Sequence, residues 1–373
     1  MTGVDQRLLA LNVGSATLKA ALFLRPGEGL PYVPAERAAF AVGDPDVRDD
    51  EHRLAQVLAR LPAEASQPDV IVHRVVHGGR RRAPTVLDDA VVDELRALSP
   101  LAPLHQGPAL SLIDAARRRW PQVRQIAAFD TAWHANLAPW SRRLPLPQDL
   151  HDAGVVRFGF HGLAFRSVMR RLTQQSPRLA RGRLVLAHLG GGSSLCAVAD
   201  GTSLDTTMGV TPLDGVPMAT RSGALDPGVM LYLAGTLNLP LARIEQMLWR
   251  DAGLRGISGL SGDMRELLAD SGAAAALALD QYTVRVAQAI AAMATAIGGM
   301  DGIVFSGGIG EGAAPIRSRV AGQLQWTGLR LDPMANRNGG PAIHANDSAI
   351  AVWVLGVDEE LELAIAARDC ESA

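Results

Sequence analysis

The chain has 373 residues, of which 48% are apolar, and its formal net charge is −2 at pH 7. This length predicts two domains, and the apolar content is sufficient for two cores. Because the net charge is close to zero, the protein has no long-range field to recruit nucleic acid or an anionic membrane. An anionic ligand must therefore be held locally, by arginines and backbone amides.

The cellular location follows from three features of the sequence. The two cysteines, Cys196 and Cys370, have neither metal-ligand spacing nor a disulfide framework, which suits a reducing compartment. The N-terminal apolar run is interrupted by Asn12 and lacks the basic start and cleavage site of a signal peptide. The Ala-rich run at 273–298 contains charged residues and predicts a buried helix, not a membrane span. We therefore expect a cytoplasmic protein without a membrane partner.

The first half of the chain predicts an α/β domain. It opens with the apolar runs LLALNV and TLKAALFL, separated by Gly14 and Ser15, which predicts a hairpin. The runs DVIVHRVVHGG and QIAAFDTAWH predict strands, and the second of them places Asp130 at its end. Helices are expected at about 51–60, 88–98 and 108–120.

The second half repeats this order of elements. RLVLAHLGGGSSLCAV predicts a hairpin with a Gly-Ser turn, and MDGIVFSGGIGEG predicts a strand that ends in glycines, as DVIVHRVVHGG does. Helices are expected after RFGFHG, around 226–234 and 241–249, after the loop GLRGISGLSGD, and over the Ala-rich run. The tail predicts a strand and then a helix that begins near Asp358. Two similar halves imply a duplicated fold facing a shared cleft.

The domain boundary is placed near His134, since no linker rich in Pro, Ser or charge marks it. The first domain is then 1–134 together with the returning tail 359–373, and the second is 135–358.

Two kinds of motif indicate an anionic ligand. The turn in HLGGGSS combines glycines with hydroxyls, which is how a backbone directs its amides at an anion. Arg74 in HRVVHGG and Arg221 in TRSG lie among glycines or small residues. Either arginine alone would as often be a structural ion-pair partner, but two in such loops favour an anion site. The histidines at strand ends, His73, His77 and His188, are more often core or rim residues.

Ten segments of the chain resemble, in this order, the signature blocks of the acetate kinase family, which includes propionate and butyrate kinases. They are LNVGSATLK, HRVVHGG, APLHQGPAL, FDTAWH, RFGFHG, HLGGGSSLCAV, DTTMGVTPLDGVPMATRSGALDP, SGLSGDMREL, IVFSGGIGEG and VDEELELA. The resemblance covers nearly the whole chain. It implies an α/β fold of two duplicated ribonuclease H-like domains, of the actin-like ATPase superfamily, around a central nucleotide cleft. It also implies ATP, Mg²⁺ and a homodimer.

The resemblance also implies a set of site residues. The catalytic residues would be Arg74, His105, Asp130, His161 and Arg221, with the two arginines on the acyl carboxylate and the transferring phosphoryl group. The methyl group of the acid would contact Val76, Leu104, Phe160 and Pro212. The nucleotide would be bound by Asn12, Lys19, His188, Gly190, Gly191, Gly192, Asp263, Met264, Arg265, Gly308, Ile309 and Gly310. Mg²⁺ would be held by Asn12 and Glu359.

Several of these residues have structural alternatives. His161 could cap a helix, Asp130 could cap the turn DTAWH, and Glu359 could favour the first turn of the last helix. The apolar pocket residues would be ordinary core positions in another protein. These alternatives stay open at the level of sequence.

The chain departs from the family pattern at several positions. Gly191 and Gly312 replace asparagines, Phe165 replaces a histidine, Ala16 replaces a serine, and Ile365 stands where an arginine often follows. Gly191 removes a side-chain donor but keeps the backbone amides, so we expect weaker or altered nucleotide binding. None of the changes removes a charged residue assigned to chemistry.

The sequence thus predicts an enzyme that transfers phosphate from ATP to a short-chain carboxylate, giving ADP and an acyl phosphate reversibly and in line. A carboxylate is already ionised at neutral pH, so the reaction needs no general base but needs fixed cations and donors. Propionate or butyrate as acceptor, and pyrophosphate as donor, remain alternatives. A nucleotide-binding protein of this fold with little turnover is a further alternative.

Overall fold

The computed structural model describes residues 6–14, 17–27, 30–41 and 50–371, which form two compact units. The first unit falls within Met1–Ala135, Phe160–Ser167 and Asp358–Ala373, and the second comprises Asn136–Gly159 and Val168–Val357. The segment Phe160–Ser167 was expected in the second domain, and this expectation is wrong. It belongs to the first unit because a Cβ on Gly162 would lie 1.9 Å from the carbonyl oxygen of Asp130, so the two backbones are in close contact.

The first unit is built on a six-stranded sheet. Its strands are β1 Gln6–Val13, β2 Thr17–Arg25, β3 Val33–Ala41, β4 Val70–Val75, β5 Thr85–Val86 and β6 Arg124–Phe129. Their order is β3-β2-β1-β4-β6-β5, with β1, β2 and β3 antiparallel and β1, β4 and β6 parallel. The predicted β1–β2 hairpin is present, whereas its turn residues Ser15 and Ala16 lie outside the described residues.

The helices, in chain order, are α1 Asp50–Leu58, α2 Asp89–Ala97, α3 Gln106–Arg119, α4 Pro139–Arg142, α5 Gln148–Asp152, α6 Gly162–Gln175, α7 Pro177–Ala180, α8 Pro227–Leu231, α9 Leu241–Gln246, α10 Gly253–Ser258, α11 Met264–Ala269, α12 Ala273–Ala296, α13 Gly307–Gly312, α14 Ala314–Gln323, α15 Pro333–Asn338 and α16 Glu359–Glu371. Short 3-10 turns connect several of them, and π-helical turns at Tyr232–Thr236 and Met247–Asp251 extend α8 and α9. No described helix has both the length and the apolar character needed to cross a membrane.

Both faces of the first sheet are covered. Leu9 and Leu11 of β1 pack with residues of α1 and α3, whereas Leu8 and Ala10 pack with residues of α16. Alternate residues of a strand point to opposite faces, so a strand covered on both sides reads as a continuous apolar run. That is why β1 and β4 could be predicted from sequence, and why the exposed strand β3 could not.

The second unit has a five-stranded sheet of the same topology. Its strands are β7 Arg183–Leu189, β8 Ser193–Ala199, β9 Thr202–Thr206, β10 Gly302–Ser306 and β11 Ala351–Val354, in the order β11-β10-β7-β8-β9. Three antiparallel strands are followed by two parallel ones, as in β3-β2-β1-β4-β6 of the first unit. The expected duplication of an α/β fold is confirmed.

Two local predictions in the second unit are wrong. Residues 253–258, expected in a loop, form α10, because Leu254 and Arg255 donate backbone hydrogen bonds to Met218 and Ala219 at 2.8 and 3.0 Å. The glycines after β10, expected at the end of the strand, form α13, whose Gly307 amide donates to the Glu311 side chain at 2.9 Å. In α10 tertiary contacts override the low helix propensity of glycine, whereas in α13 the stabilising bond from Gly307 to Glu311 lies within the helix itself.

Candidate active site

Arg74 lies at the carboxyl end of β4 and organises the polar cluster of the first unit. Its Nη2 donates to Asp130 Oδ2 at 2.8 Å, and its Nη1 donates to Asn12 Oδ1 and to Glu359 Oε2, each at 3.2 Å. The strands β1, β4 and β6 are parallel, so their carboxyl ends meet at one edge of the sheet. This edge brings together Asn12, Arg74 and Asp130, and the first turn of α16 adds Glu359.

The charges of this cluster are buried and interact strongly. Burial acts to lower the pKa of Arg74, but the negative charges of Asp130 and Glu359 outweigh it and the pKa is raised, so the guanidinium stays charged. Burial raises the pKa of Asp130, although Arg74 and a backbone hydrogen bond from Leu163 oppose the shift. Asp130 thus pairs with Arg74 and accepts a hydrogen bond from Leu163 at the start of α6, whereas the turn Asp130–His134, which it was expected to cap, has no side-chain cap.

Asn12 connects the acidic side chains of the cluster. Its Nδ2 donates to Glu359 Oε2 at 2.9 Å and to Glu360 Oε1 at 2.8 Å. Asp358, which precedes them, accepts from the backbone nitrogen of Leu361 at 3.0 Å and caps α16 as predicted. Lys19 lies opposite Asn12 in the β1–β2 register, and its side chain is exposed.

The donor chemistry of this cluster fits Mg²⁺, although one expected ligand has another role. The cluster holds the carboxylates of Asp130, Glu359 and Glu360 with the guanidinium of Arg74, and the guanidinium of Arg37 lies 3.6 Å from Glu360 Oε2. Mg²⁺ binds oxygen ligands, commonly one or two carboxylates with water and phosphate oxygens. Among the described side chains, no three His, Cys, Asp or Glu groups come together as a complete metal cage. Asn12 uses its oxygen on Arg74 and its nitrogen on the glutamates, so in this structure it orients the carboxylates.

His161 directly precedes α6 in a strained backbone conformation. Its φ is 59°, in the left-handed region that a residue with a side chain seldom adopts. Such strain costs on the order of 1–3 kcal/mol, is kept only where the surroundings impose it, and clusters at functional sites. Here the close packing of Gly162 against the Asp130 carbonyl imposes it. His161 and Asp130 are therefore fixed relative to each other by the backbone.

The remaining first-unit candidates differ in burial. His105 and Leu104 are half-buried at the start of α3, whereas Val76 and Phe160 are buried. Phe160 packs edge-to-face against His77, with 5.5 Å between the ring centroids. His77 and His73 are buried, as expected for core histidines, and burial lowers the pKa of His73 to about 4.

In the second unit, the glycine turn between β7 and β8 meets the start of α13. A Cβ on Gly190 would lie 3.9 Å from the backbone nitrogen of Gly308, and one on Gly307 would lie 2.7 Å from the Leu189 carbonyl oxygen. His188 supports this contact, since its Nδ1 lies 3.2 Å from Ser306 Oγ. The two glycine segments that the sequence indicated are thus adjacent, and His188 is a rim residue beside them.

These glycine segments line a cavity of about 750 Å³. Its lining consists of Gly190, Gly191, Ala219, Thr220, Gly262, Asp263, Met264, Arg265, Leu268, Gly308, Ile309, Gly312, Ala313 and Pro315. Most of the predicted nucleotide residues of this unit are therefore together, but His188, Gly192 and Gly310 are not part of the lining. Gly310 packs on β10, where a Cβ would lie 3.5 Å from the Phe305 backbone.

Asp263 and Arg265 form one preorganised group at the edge of the cavity. The Asp263 carboxylate accepts from the Arg265 backbone nitrogen at 2.8 Å and from its guanidinium at 3.0 and 2.5 Å. The side-chain hydrogen bond from Arg265 lowers the pKa of Asp263 to about 2. Asp263 is therefore ionised at neutral pH and caps α11.

Arg221 is a buried cation near this cavity. It is 5% exposed, its Nη1 donates to the Pro212 carbonyl oxygen at 3.3 Å, and its guanidinium carbon lies 5.6 Å from the centre of the Trp249 ring. Burial lowers the pKa of Arg221 to about 10, so it remains charged at neutral pH. A charge moved out of water in this way favours an anionic ligand. Pro212, expected to contact the methyl group of the acid, accepts this hydrogen bond from Arg221.

Sequence reasoning missed several residues of these sites. Glu360 was passed over because the adjacent Glu359 matched the family pattern, although the pair DEE was visible in the sequence. Trp249 acts by close contact with the segment that carries Arg221, and no local pattern reveals such a contact. Gly262 belongs to the stretch 261–265 that was expected on the adenosine side, and a Cβ there would lie 2.6 Å from the Ala219 carbonyl oxygen.

Comparison with known proteins places the chain among kinases. The model of the acetokinase family matches residues 7–366. An acetate kinase of Methylocella silvestris is 39% identical over 384 residues and covers 95% of each chain. One of Rhizobium meliloti is 39% identical over 381 residues and covers 96% of each.

Solved structures agree with these relatives. A propionate kinase from Francisella tularensis has a TM-score of 0.85 at 30% identity, covering 97% of this chain and 98% of its own. An acetate kinase from Porphyromonas gingivalis has a TM-score of 0.81 at 28% identity, covering 99% and 100%.

The duplicated fold and these likenesses define the protein as a kinase. The chain belongs to the acetokinase family. The expectations of the family, of the fold class and of kinase activity are confirmed.

Proposed function

We propose that the protein transfers the γ-phosphoryl group of ATP to acetate, giving acetyl phosphate and ADP reversibly. One observation carries the proposal: the glycine-lined cavity and the buried Arg221 belong to one hydrogen-bonded structure. Ala219, which lines the cavity, donates its backbone hydrogen bond to the Gly191 carbonyl oxygen at 3.2 Å, and Arg221 is two residues further on. A nucleotide site and a fixed cation are thus coupled through a few residues.

The cavity favours a nucleotide over pyrophosphate as the donor. Pockets for small organic ligands have volumes of roughly 300–1,000 Å³. The cavity volume of about 750 Å³ falls in this range and is sufficient for a nucleotide. The glycines at 190, 191 and 308 let phosphates approach the backbone amides, while Ile309, Met264 and Leu268 offer an apolar surface to the nucleoside.

Lys19, in the first unit, is assigned to the phosphates of the donor nucleotide. It is the one lysine of the sequence, so amine labelling with and without MgATP, quantified on the peptide that contains Lys19, tests this assignment.

The chemistry needs no general base. A carboxylate oxygen of the acid forms a bond to the γ-phosphorus as the bond to the ADP oxygen breaks, and no proton is transferred. Arg221 stabilises the negative charge on the phosphoryl group, and His161 donates a hydrogen bond to its oxygens. Arg74, held by Asp130, binds the acid's carboxylate, and His105 supports this contact. Val76, Leu104, Phe160 and Pro212 are assigned to the methyl group.

Mg²⁺ is assigned to Glu359, with Asn12 orienting that carboxylate. Bound together with ATP, the ion would neutralise phosphate charge. Because ATP is a cytoplasmic metabolite and both cysteines are free thiols, we place the reaction in the cytoplasm.

We also propose that the protein is a homodimer that pairs through the exposed apolar residues of α8, α9 and their connection. Leu231 and Leu241 are each 76% exposed, and Tyr232 and Leu237 are more than half exposed. Several large apolar side chains exposed within one short stretch of chain support an interaction site there. Sedimentation analysis of the double variant Leu231→Glu/Leu241→Glu tests this, since the proposal requires it to be monomeric where the unaltered protein is dimeric.

The activity is tested by incubating the purified protein with Mg²⁺, hydroxylamine and a matrix of acids and donors, and measuring hydroxamate. The acids are acetate, propionate and butyrate, and the donors are ATP and pyrophosphate. We expect the fastest product formation with acetate and ATP. One methylene changes preference by about 1–3 kcal/mol, so propionate should react more slowly but measurably. Product with pyrophosphate alone would overturn the donor assignment, and no product with any pair would overturn the activity.

A further inference from the structure

The segment 218–221, which carries Arg221, is held by the segment Trp249–Arg255 of the same unit. Four hydrogen bonds join them: Leu254 N to Met218 O at 2.8 Å, Arg255 N to Ala219 O at 3.0 Å, Ala252 N to Thr220 O at 3.1 Å, and Thr220 Oγ1 to Trp249 O at 2.9 Å. These bonds use the backbone of every residue before Arg221 in the segment. The backbone of residues 218–220, which precede Arg221, is therefore held in place by the segment Trp249–Arg255.

Gly253 brings the two backbones into direct contact. Its φ is 62°, and a Cβ there would lie 2.1 Å from the Met218 carbonyl oxygen and 2.5 Å from that of Arg221. A carbonyl oxygen cannot move away as a flexible side chain can, so a side chain at this position would displace Arg221. The glycine is needed for close approach as well as for its backbone conformation.

Trp249 adds a contact to the guanidinium itself. Its ring is 5% exposed and lies in the π-helical turn Met247–Asp251, with its centre 5.6 Å from the Arg221 guanidinium carbon. A π-helical turn inserts an extra residue in a helix and is found frequently at functional sites. An aromatic face attracts a cation and restricts its position without neutralising its charge, as a carboxylate would.

We propose that Trp249 is a positioning residue for the kinase reaction, which holds the Arg221 guanidinium in the orientation that receives the phosphoryl group. Trp249 acts through Arg221 and does not itself contact the reactants. The proposal rests on the role of Arg221 given under the proposed function.

The test combines Trp249→Leu and Trp249→Phe with Arg221→Ala in a double-mutant cycle. Trp249→Leu should lower kcat about 3- to 30-fold, the range expected for a cation–π contact, with little change in the KM for ATP. Trp249→Phe keeps an aromatic face and should recover most of the loss. In the Arg221→Ala background, Trp249→Leu should have no further effect, because the group it positions is gone. Trp326→Leu, at a tryptophan that is 75% exposed in the same unit, is the matched control.

A second readout is independent of turnover. Binding of inorganic phosphate, measured by calorimetry, should weaken in Trp249→Leu and be weakest in Arg221→Ala. Equal kcat losses from Trp249→Leu with and without Arg221 would overturn the positioning role and leave the proposed function intact. If the unaltered protein were inactive and bound no phosphate, the proposed function of Arg221 would be contradicted. The positioning role of Trp249 would then be contradicted as well.

Discussion

Arg74 and Asp130 form a buried ion pair, with 2.8 Å between Nη2 and Oδ2 and side-chain exposures of 11% and 1%. The two residues come from neighbouring parallel strands, β4 and the end of β6, and the pair fixes the direction of the guanidinium. A buried pair costs desolvation that its attraction only partly offsets, so its value lies in orientation as much as in stability.

Removal of one partner of this ion pair should therefore lower the stability of the fold. Arg74→Met leaves the Asp130 carboxylate buried without its cation, and the free energy of unfolding should fall by about 3–5 kcal/mol in urea titrations. Arg96→Met, which removes the half-exposed pairs with Asp93 and Asp114, is the control and should cost less than about 1 kcal/mol. Equal losses for the two variants would mean that Arg74 contributes no more than a surface ion pair.

The stability of the protein should fall below neutral pH because of His73. Burial lowers its pKa in the folded state to about 4, while the unfolded chain has a pKa of about 6.5. Between these values the unfolded state binds the proton and the folded state does not. The stabilisation is thus complete above pH 6.5 and is lost as the pH falls towards 4, by about 3 kcal/mol in all.

Urea titrations at pH 7.5 and pH 5 measure this dependence. His73→Gln, whose amide can donate to Gln125 as the imidazole does, should show a smaller loss of stability between the two pH values than the unaltered protein. His52→Gln, at an exposed position on α1, controls for the removal of a histidine. An unchanged pH dependence in His73→Gln would show that His73 is not the group responsible.

Gly162 should tolerate no side chain. The Cβ of Gly162→Ala would lie 1.9 Å from the Asp130 carbonyl oxygen, so the start of α6 must shift, together with the strained His161. We expect a loss of stability of about 1–3 kcal/mol and a loss of kcat. Gly107→Ala is the matched control, because its Cβ would meet nothing within 4 Å in α3 and alanine favours a helix. Normal stability and activity in Gly162→Ala would contradict the close contact.

Parts of the fold and of the site could be predicted from the sequence, and other parts could not. The glycine turns and both arginines were visible because apolar strands ending in glycines are a local pattern. The strand β3 was invisible because nearly all of its described residues are exposed, so it has no apolar alternation. The placement of Phe160–Ser167 depends on the contact between Gly162 and Asp130, which are 32 positions apart, and the helix α10 depends on bonds to 218–219. Neither contact leaves a local signal.

The departure at Gly191 gives a test of the donor site. Gly191 lines the cavity, and a Cβ there would meet nothing within 4 Å, so Gly191→Asn should be tolerated and place an amide donor beside the phosphates. A hydrogen bond to a charged group contributes about 1.5–3 kcal/mol, so the KM for ATP should fall by roughly tenfold or more. Gly322→Asn, at an equally open position on α14 outside the cavity lining, should leave the KM unchanged. A higher KM in Gly191→Asn would mean that the phosphates need the space that glycine leaves.

The most direct test of the central claim is the rate of acetyl phosphate formation from ATP and acetate by Arg221→Ala, compared with the unaltered protein. Arg221 is proposed to stabilise charge that develops on the phosphoryl group, and removal of one such group lowers kcat by about 10²–10³. We predict a loss of this size in a variant whose circular dichroism spectrum and thermal midpoint match those of the unaltered protein. A folded Arg221→Ala with near-normal kcat would contradict the account.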